Sequence, residues 1–280
     1  MNEKFKMLDD LFVFPNEPKS LQEHLRCLDE VNETLKEIPV ALRKEDTKSR
    51  LYKEAISVHH QGVLYRKRDD ASDVLVTYWL SRVKSITYLY GSVNDIPKFE
   101  AITKDEIREL ISLSQDTKNL SALEAILAKK GIIFVIEQAL PRLKTDGSVF
   151  INENGHAVIA LSLRYNRLDN FWFTLVHELA HLYLHREQLT TPIIEDFDVS
   201  ATSLIEKQAN KLAKDLMIPR HVWRNCPCKY EQGDKALKAF AAEIGVHPTI
   251  VAGRLRRELN QYNLYSGVIN EFDVREYFGL

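Results

Sequence analysis

Cysteine is scarce in this chain: three residues, Cys27, Cys226 and Cys228, among 280. An odd and sparse set rules out a disulfide framework and suits a reducing compartment. Cys226-Pro-Cys228 has one intervening residue, fewer than the two to four of zinc ligand pairs, and no second pair exists. It reads as two ordinary thiols in a proline-containing loop, and a thiolate from Cys27 or this pair capping a metal is the minor reading. A strong charge of either sign is also missing. The net charge of −2 gives no overall basic footprint for nucleic acid. Long apolar runs are missing too, so no segment reads as a membrane span, and the acidic opening MNEKFKMLDDLFVFPNE lacks the apolar core of a secretory signal. A cytoplasmic protein without a membrane partner is expected. With 45% hydrophobic residues the chain can bury a good core, as one domain with appendages or as two small ones.

What is present is concentrated in five residues, His177-Glu178-Leu179-Ala180-His181. Histidines four apart on a helix lie one above the other and can reach one metal ion. Glu178, displaced around the same turn, suits a base that acts on water beside the metal rather than a further ligand. The surrounding stretch 169–186, DNFWFTLVHELAHLYLHR, carries apolar residues at helical spacing, with Asp169 placed as an N-cap. Histidines in so apolar a helix are expected to be buried. Burying two imidazoles and a carboxylate without partners costs about 1–3 kcal/mol for each unsatisfied group, and a cation relieves that cost.

His185 follows one turn later, about 6 Å along the axis, too far for an unbroken helix to bring three imidazoles to one ion. A third histidine ligand would need a glycine to break the helix, and 182–186 contains none. His185 is therefore expected beside the ligands or at the helix end. The third ligand is sought downstream, where SLIEKQANKLAKDLM at 203–217 reads as an amphipathic helix with Leu204, Ala209, Leu212, Ala213 and Leu216 on its apolar face. Glu206 lies close to that face and is the preferred ligand. Glu195, Asp196 and Asp198 in the acidic loop EDFD compete with it.

Around this centre three regions are expected: an N-terminal helical region, 1–100; a core, 101–225; and a C-terminal helical appendage, 226–280. Residues 18–60 read as helical through Leu21, Leu25, Leu28, Val31 and Leu35, and 71–90 through Val74, Leu75, Tyr78, Trp79, Val83, Ile86 and Leu89. Between them Arg66-Lys67-Arg68 runs into Asp69 and Asp70, a charge run short enough to be a solvated turn. Two further helices are expected at 103–114 and 121–130, the second ended by Gly131. The period then changes. IIFVI, SVFI and AVIALS read as short strands, the last two joined by an Asn154-Gly155 turn. The fold class is thus α+β, mostly helical, with a small antiparallel-containing sheet ahead of the metal helix. A peptide can add to the edge of such a sheet as an extra strand, which favours peptide cleavage. His156, Arg164 and Tyr165, at or beyond the end of the sheet, are candidates for holding an oxyanion. Past Pro219, DKALKAFAAEIGVHPTIVAGRLRREL has the form helix, turn, helix. Arg254, Arg256 and Arg257 could meet DNA, but the pair reads first as support for the metal helices.

The runs LSLRYNRLDNFWFTLVHELAHLYLH, IEKQANKLAKDLMIP and FAAEIGVHPTIVAGRLRREL occur in that order and together resemble the ImmA/IrrE family of metallopeptidases. The resemblance covers roughly residues 65–280 and is nearest to the branch fused to HigA-type antitoxin or Xre-like repressor domains. It implies a zincin-like core of gluzincin type holding one Zn2+ per chain. His177, His181 and Glu206 would be the ligands and Glu178 the catalytic base. It also implies a zinc metalloendopeptidase that cuts helix-turn-helix repressors or antitoxins and so releases phage, mobile-element, stress or defence genes. Asn210 stands where many zincins have aspartate, a departure that touches the groups around the ligands rather than the ligands. Fused relatives begin with a DNA-binding domain and this chain does not, so its repressor is expected to be a separate polypeptide. The alternative is a regulatory protein that keeps the scaffold but holds a repressor, toxin or DNA without cutting it.

Overall fold

The computed structural model describes residues 21–38, 40, 43, 47–52, 73–190, 192–195, 203–231 and 233–280. Asp196, Asp198 and the 66–70 charge run lie outside the described residues. By its contacts the chain divides into two compact units: Met1–Val63 with Asp70–Arg82 and Leu140–Leu143, and Leu64–Asp69 with Val83–Ala139 and Lys144–Leu280. The second unit thus contains residues 226–280 and the stretch 101–225 apart from Leu140–Leu143.

In the first unit helix α1 spans Leu21–Glu37. Its buried stripe is Cys27, Val31, Thr34 and Ile38, while Leu25 is exposed. The leucine spacing placed the inward face one position away from where it lies, because a cysteine and a threonine supply part of that face. Helix α2, Asp73–Val93, buries Leu75, Tyr78, Trp79 and Val83 as the apolar period predicts, but Ile86 and Leu89 are exposed.

The second unit is mostly helical with one small mixed sheet, an α+β fold. Helix α3, Lys104–Ser112, starts in a capping box between Thr103 and Glu106, which satisfies otherwise orphaned amides. A 3-10 turn then leads into α4, Leu123–Ala128. Gly131 ends this segment at φ 76°, and a Cβ there would sit 2.6 Å from the Phe99 backbone nitrogen, so only glycine fits. Strands β1 (Ile132–Ile136), β2 (Gly147–Ile151) and β3 (Ala157–Leu161) follow. β3 lies in the middle, parallel to β1 and antiparallel to β2. The hairpin turn between β2 and β3 forms where Asn154-Gly155 predicts it, and the Asn152 carboxamide oxygen accepts from the amides of Asn154 and His156.

Helix α5, Leu168–Leu184, packs its apolar surface on β2 and β3. Its N-cap is Arg167, not Asp169: Asp169 lies within the first turn, buried and paired with the Arg167 guanidinium at 2.6 Å. A short strand β4, Ile193–Glu195, then pairs antiparallel with β2, giving the order β1-β3-β2-β4. Helix α6, Leu204–Met217, is capped by the Ser203 hydroxyl, which accepts from the Glu206 amide. It packs along α5, burying Ala209, Ala213 and Leu216. Leu204, expected on that face, is exposed, because α6 begins with it and the packed turns come later. Helix α7 spans Arg220–Arg224, and α8 (Asp234–Ile244) and α9 (Pro248–Leu259) form the expected helix-turn-helix shape around Gly245. α9 lies against α5. No helix among the described residues is long and apolar enough to cross a membrane.

Candidate metal centre

The helical repeat of α5 and the packing of α6 against it bring three donors together. His177 Nε2 and His181 Nε2 are 2.9 Å apart, and Glu206 Oε2 is 3.2 Å from the first and 3.4 Å from the second. All three side chains are buried. A tetrahedral ion that holds nitrogen and oxygen donors at about 2.0–2.2 Å needs them about 3.3–3.6 Å apart. These three atoms would have to move by only tenths of an ångström to accept one. Of the competing acids, Glu195 belongs to β4.

Glu178, one position round α5 from His177, reaches the start of β2. A Cβ added to Gly147 would lie 2.5 Å from its Oε1 and 2.8 Å from Thr174 Cγ2, so the missing side chain at the start of β2 makes the space the carboxylate occupies. Both carboxylate oxygens are buried and accept no hydrogen bond among the described residues. Burial pushes the Glu178 pKa well above the ordinary carboxylate range, and the neighbouring Glu206 and Asp146 charges push it further. A deeply buried acid with two acidic neighbours and two imidazoles is a poor hydrophobic core and a good cation site. The donor set fits a borderline-soft divalent ion of the zinc kind.

His185 ends α5, its ring Nδ1 3.0 Å from His181 Nδ1 and its Nε2 3.0 Å from Gln208 Oε1. Of the three oxyanion candidates, His156 is excluded by strand geometry. It precedes Ala157, which pairs with Ile151, whereas Glu178 sits at the opposite end of the hairpin where Gly147 pairs with Leu161. Four residues of strand separate these ends by about 13 Å. Its Nε2 instead meets the Ile96 carbonyl oxygen at 3.1 Å. Arg164 and Tyr165 lie at the near end: Arg164 is 3.6 Å from Asp146 and stacks over the Tyr165 ring. With Leu161, Leu163, Asp146 and Thr174 they line a pocket at this end of the sheet. Asp146 and Gly147 escaped the sequence reading because only the strand pairing carries them to the metal helix. A glycine opening the strand was the one visible signal.

The two thiols of Cys226 and Cys228 are buried in the hydrophobic core, and burial together with Cys226 raises the Cys228 pKa to about 12. Cys228 is no thiolate at neutral pH, and neither cysteine belongs to the ligand group. Arg254 donates to the carbonyl oxygens of Lys214 and Ile218 and lies 4.3 Å from the Trp223 ring centre. Arg257 covers the Phe173 ring. These contacts agree with α9 as a support for α5.

Residues 128–256 match a family model. The match is to the IrrE N-terminal-like domain of the Peptidase M78 family. No curated protein matches the chain. The IrrE-like domain runs from the end of α4 into α9 and includes every residue of the metal centre, and it crosses residue 225 without a break. Its family indicates a metallopeptidase of ImmA/IrrE type, and the buried His177, His181 and Glu206 group is able to hold the metal such an enzyme needs.

Proposed function

We propose that this protein is a zinc-dependent endopeptidase with a zincin-like core of gluzincin type, in which His177, His181 and Glu206 hold the ion and Glu178 is the catalytic base. The reading rests on the convergence of three buried donors beside a buried, hydrogen-bond-free carboxylate. Bound zinc would supply Lewis acidity, which eases deprotonation of water and polarises a carbonyl. Glu178 takes the proton of the attacking water and delivers it to the leaving amine. Its raised pKa suits both halves of that task, since a base that must return its proton works best with a pKa near the working pH. Gly147, having no side chain, leaves the carboxylate room at the start of β2.

The substrate we propose is the helix-turn-helix region of a separate repressor or antitoxin in the cytoplasm, whose cleavage releases phage, mobile-element, stress or defence genes. The chain's own helix-turn-helix-shaped pair, α8 and α9, buries Leu237, Phe240, Ile250, Val251 and Leu255 in the core, which supports a target outside this domain. The test is incubation with the helix-turn-helix protein encoded beside it, with and without chelator. Chelator-sensitive fragments that Glu178→Gln does not produce are the expected result. A stable complex without fragments would make the protein a binding regulator instead.

A further inference from the structure

We propose that His185, itself oriented by Gln208, is a positioning residue that sets the tautomer of His181 and so leaves the His181 Nε2 lone pair facing the metal site. The inference rests on the metal centre proposed above and adds what prepares it. A histidine nitrogen ligates only through a lone pair, so Nε2 of His181 must be bare and its ring proton must sit on Nδ1. That Nδ1 lies 3.0 Å from His185 Nδ1. Two ring nitrogens at this distance attract only when one carries hydrogen and the other a lone pair. His185 Nδ1 is therefore the acceptor, and the His185 proton is on Nε2. There it meets an acceptor, the Gln208 Oε1 at 3.0 Å.

Each step fixes the next. Turning the Gln208 amide around would present N–H to His185 Nε2, move the His185 proton to Nδ1 and drive the His181 proton onto Nε2, where it blocks coordination. The chain of three groups has two directions, and only the one ending on the Gln208 carbonyl oxygen permits a ligand at His181. Local backbone makes the contact possible. α5 gives way at His185, with φ −127° and ψ 21°. Its amide still donates to the His181 carbonyl oxygen at 2.8 Å, so the four-residue spacing that pairs side chains along a helix face holds to this end of α5. Gln208 comes from α6, two residues beyond Glu206, so the helix that brings the third ligand also brings the group that orients the second.

The removal of such an outer partner typically weakens metal binding about 10- to 100-fold. Zinc-free full-length protein is titrated with zinc against a chromogenic chelator, comparing wild type, His185→Leu, which removes the acceptor, and His185→Gln, which restores one. Long-range nitrogen–proton spectra of ring-labelled histidines read the tautomers in the zinc-free wild type. Expected are Nδ1–H at His181 and Nε2–H at His185, zinc affinity down by about 10-fold or more in His185→Leu, and recovery toward wild type in His185→Gln. Undiminished affinity in His185→Leu, or Nε2–H at His181 in the wild type, overturns the proposal. Should His185→Leu not fold, the wild-type spectra and His185→Gln decide. A wild type that takes up no zinc would refute the proposed metal centre, while the tautomers in the spectra still judge the relay.

Discussion

Glu178 is held where a carboxylate is costly: both oxygens are buried without hydrogen bonds among the described residues, and Glu206 and Asp146 add negative charge. Its folded pKa is raised above the unfolded value, so the stability linked to it is present at low pH and lost as pH rises through the folded pKa. Metal-free Glu178→Gln, which keeps the shape and removes the charge, should therefore melt at a higher temperature than metal-free wild type at neutral to alkaline pH. The two curves should converge in acid. A metal-free pair whose melting temperatures stay equal from pH 4 to 9 would contradict this. Gly147 tests the same carboxylate from the other side. In Gly147→Ala the new methyl would stand 2.5 Å from Glu178 Oε1, and since a misplacement of about 1 Å can cost about 100-fold in rate, turnover should fall on that order. Metal content should be unchanged, because the atoms nearest the new methyl belong to Glu178 and Thr174 and not to the three ligands.

Between elements, α9 comes close to α5 at Gly253. Gly253 faces the buried Asp169 carboxylate so closely that a Cβ would overlap it, and Asp169 is fixed by Arg167. Gly253→Ala must part the two helices or break the ion pair, at about 1–3 kcal/mol, the usual cost of overpacking. A lower denaturant midpoint is expected, even though alanine is the better helix former. Element boundaries were largely legible. The 3.6-residue period marked α5 and α6, and β-branched runs marked β1, β2 and β3. β4 was not legible: Ile193–Glu195 is too short to show a period, and it exists because the edge of β2 at Gly147–Val149 offers it unpaired backbone groups. A peptide adding to that side meets β4 rather than β2.

For the molecule as a whole, the ion is expected to be part of the fold. Glu178 and Glu206 place two buried carboxylates near each other, and a ligand that binds only the folded state stabilises by about 2.7 kcal/mol at a free concentration of 100 Kd. Thermal unfolding should therefore shift upward with added zinc in a concentration-dependent way, and chelator should reverse the shift. His177→Ala should abolish that dependence, which differential scanning calorimetry would read directly.

Taken alone, the sequence determined the local chemistry: two imidazoles on one face of α5, Glu178 beside them, and a glutamate near the inner face of the next amphipathic helix. These follow from helical spacing, which residues within one element impose on each other. The tertiary structure alone decided which faces are inward. It buried Cys27 and Thr34 and exposed Leu25, Ile86 and Leu89, because burial depends on what packs opposite. It also brought Asp146 and Gly147 to Glu178 and Gln208 to His185, and moved His156 away. Such contacts between groups far apart in the chain are fixed by strand register and helix packing, and no short-range period in the sequence encodes them.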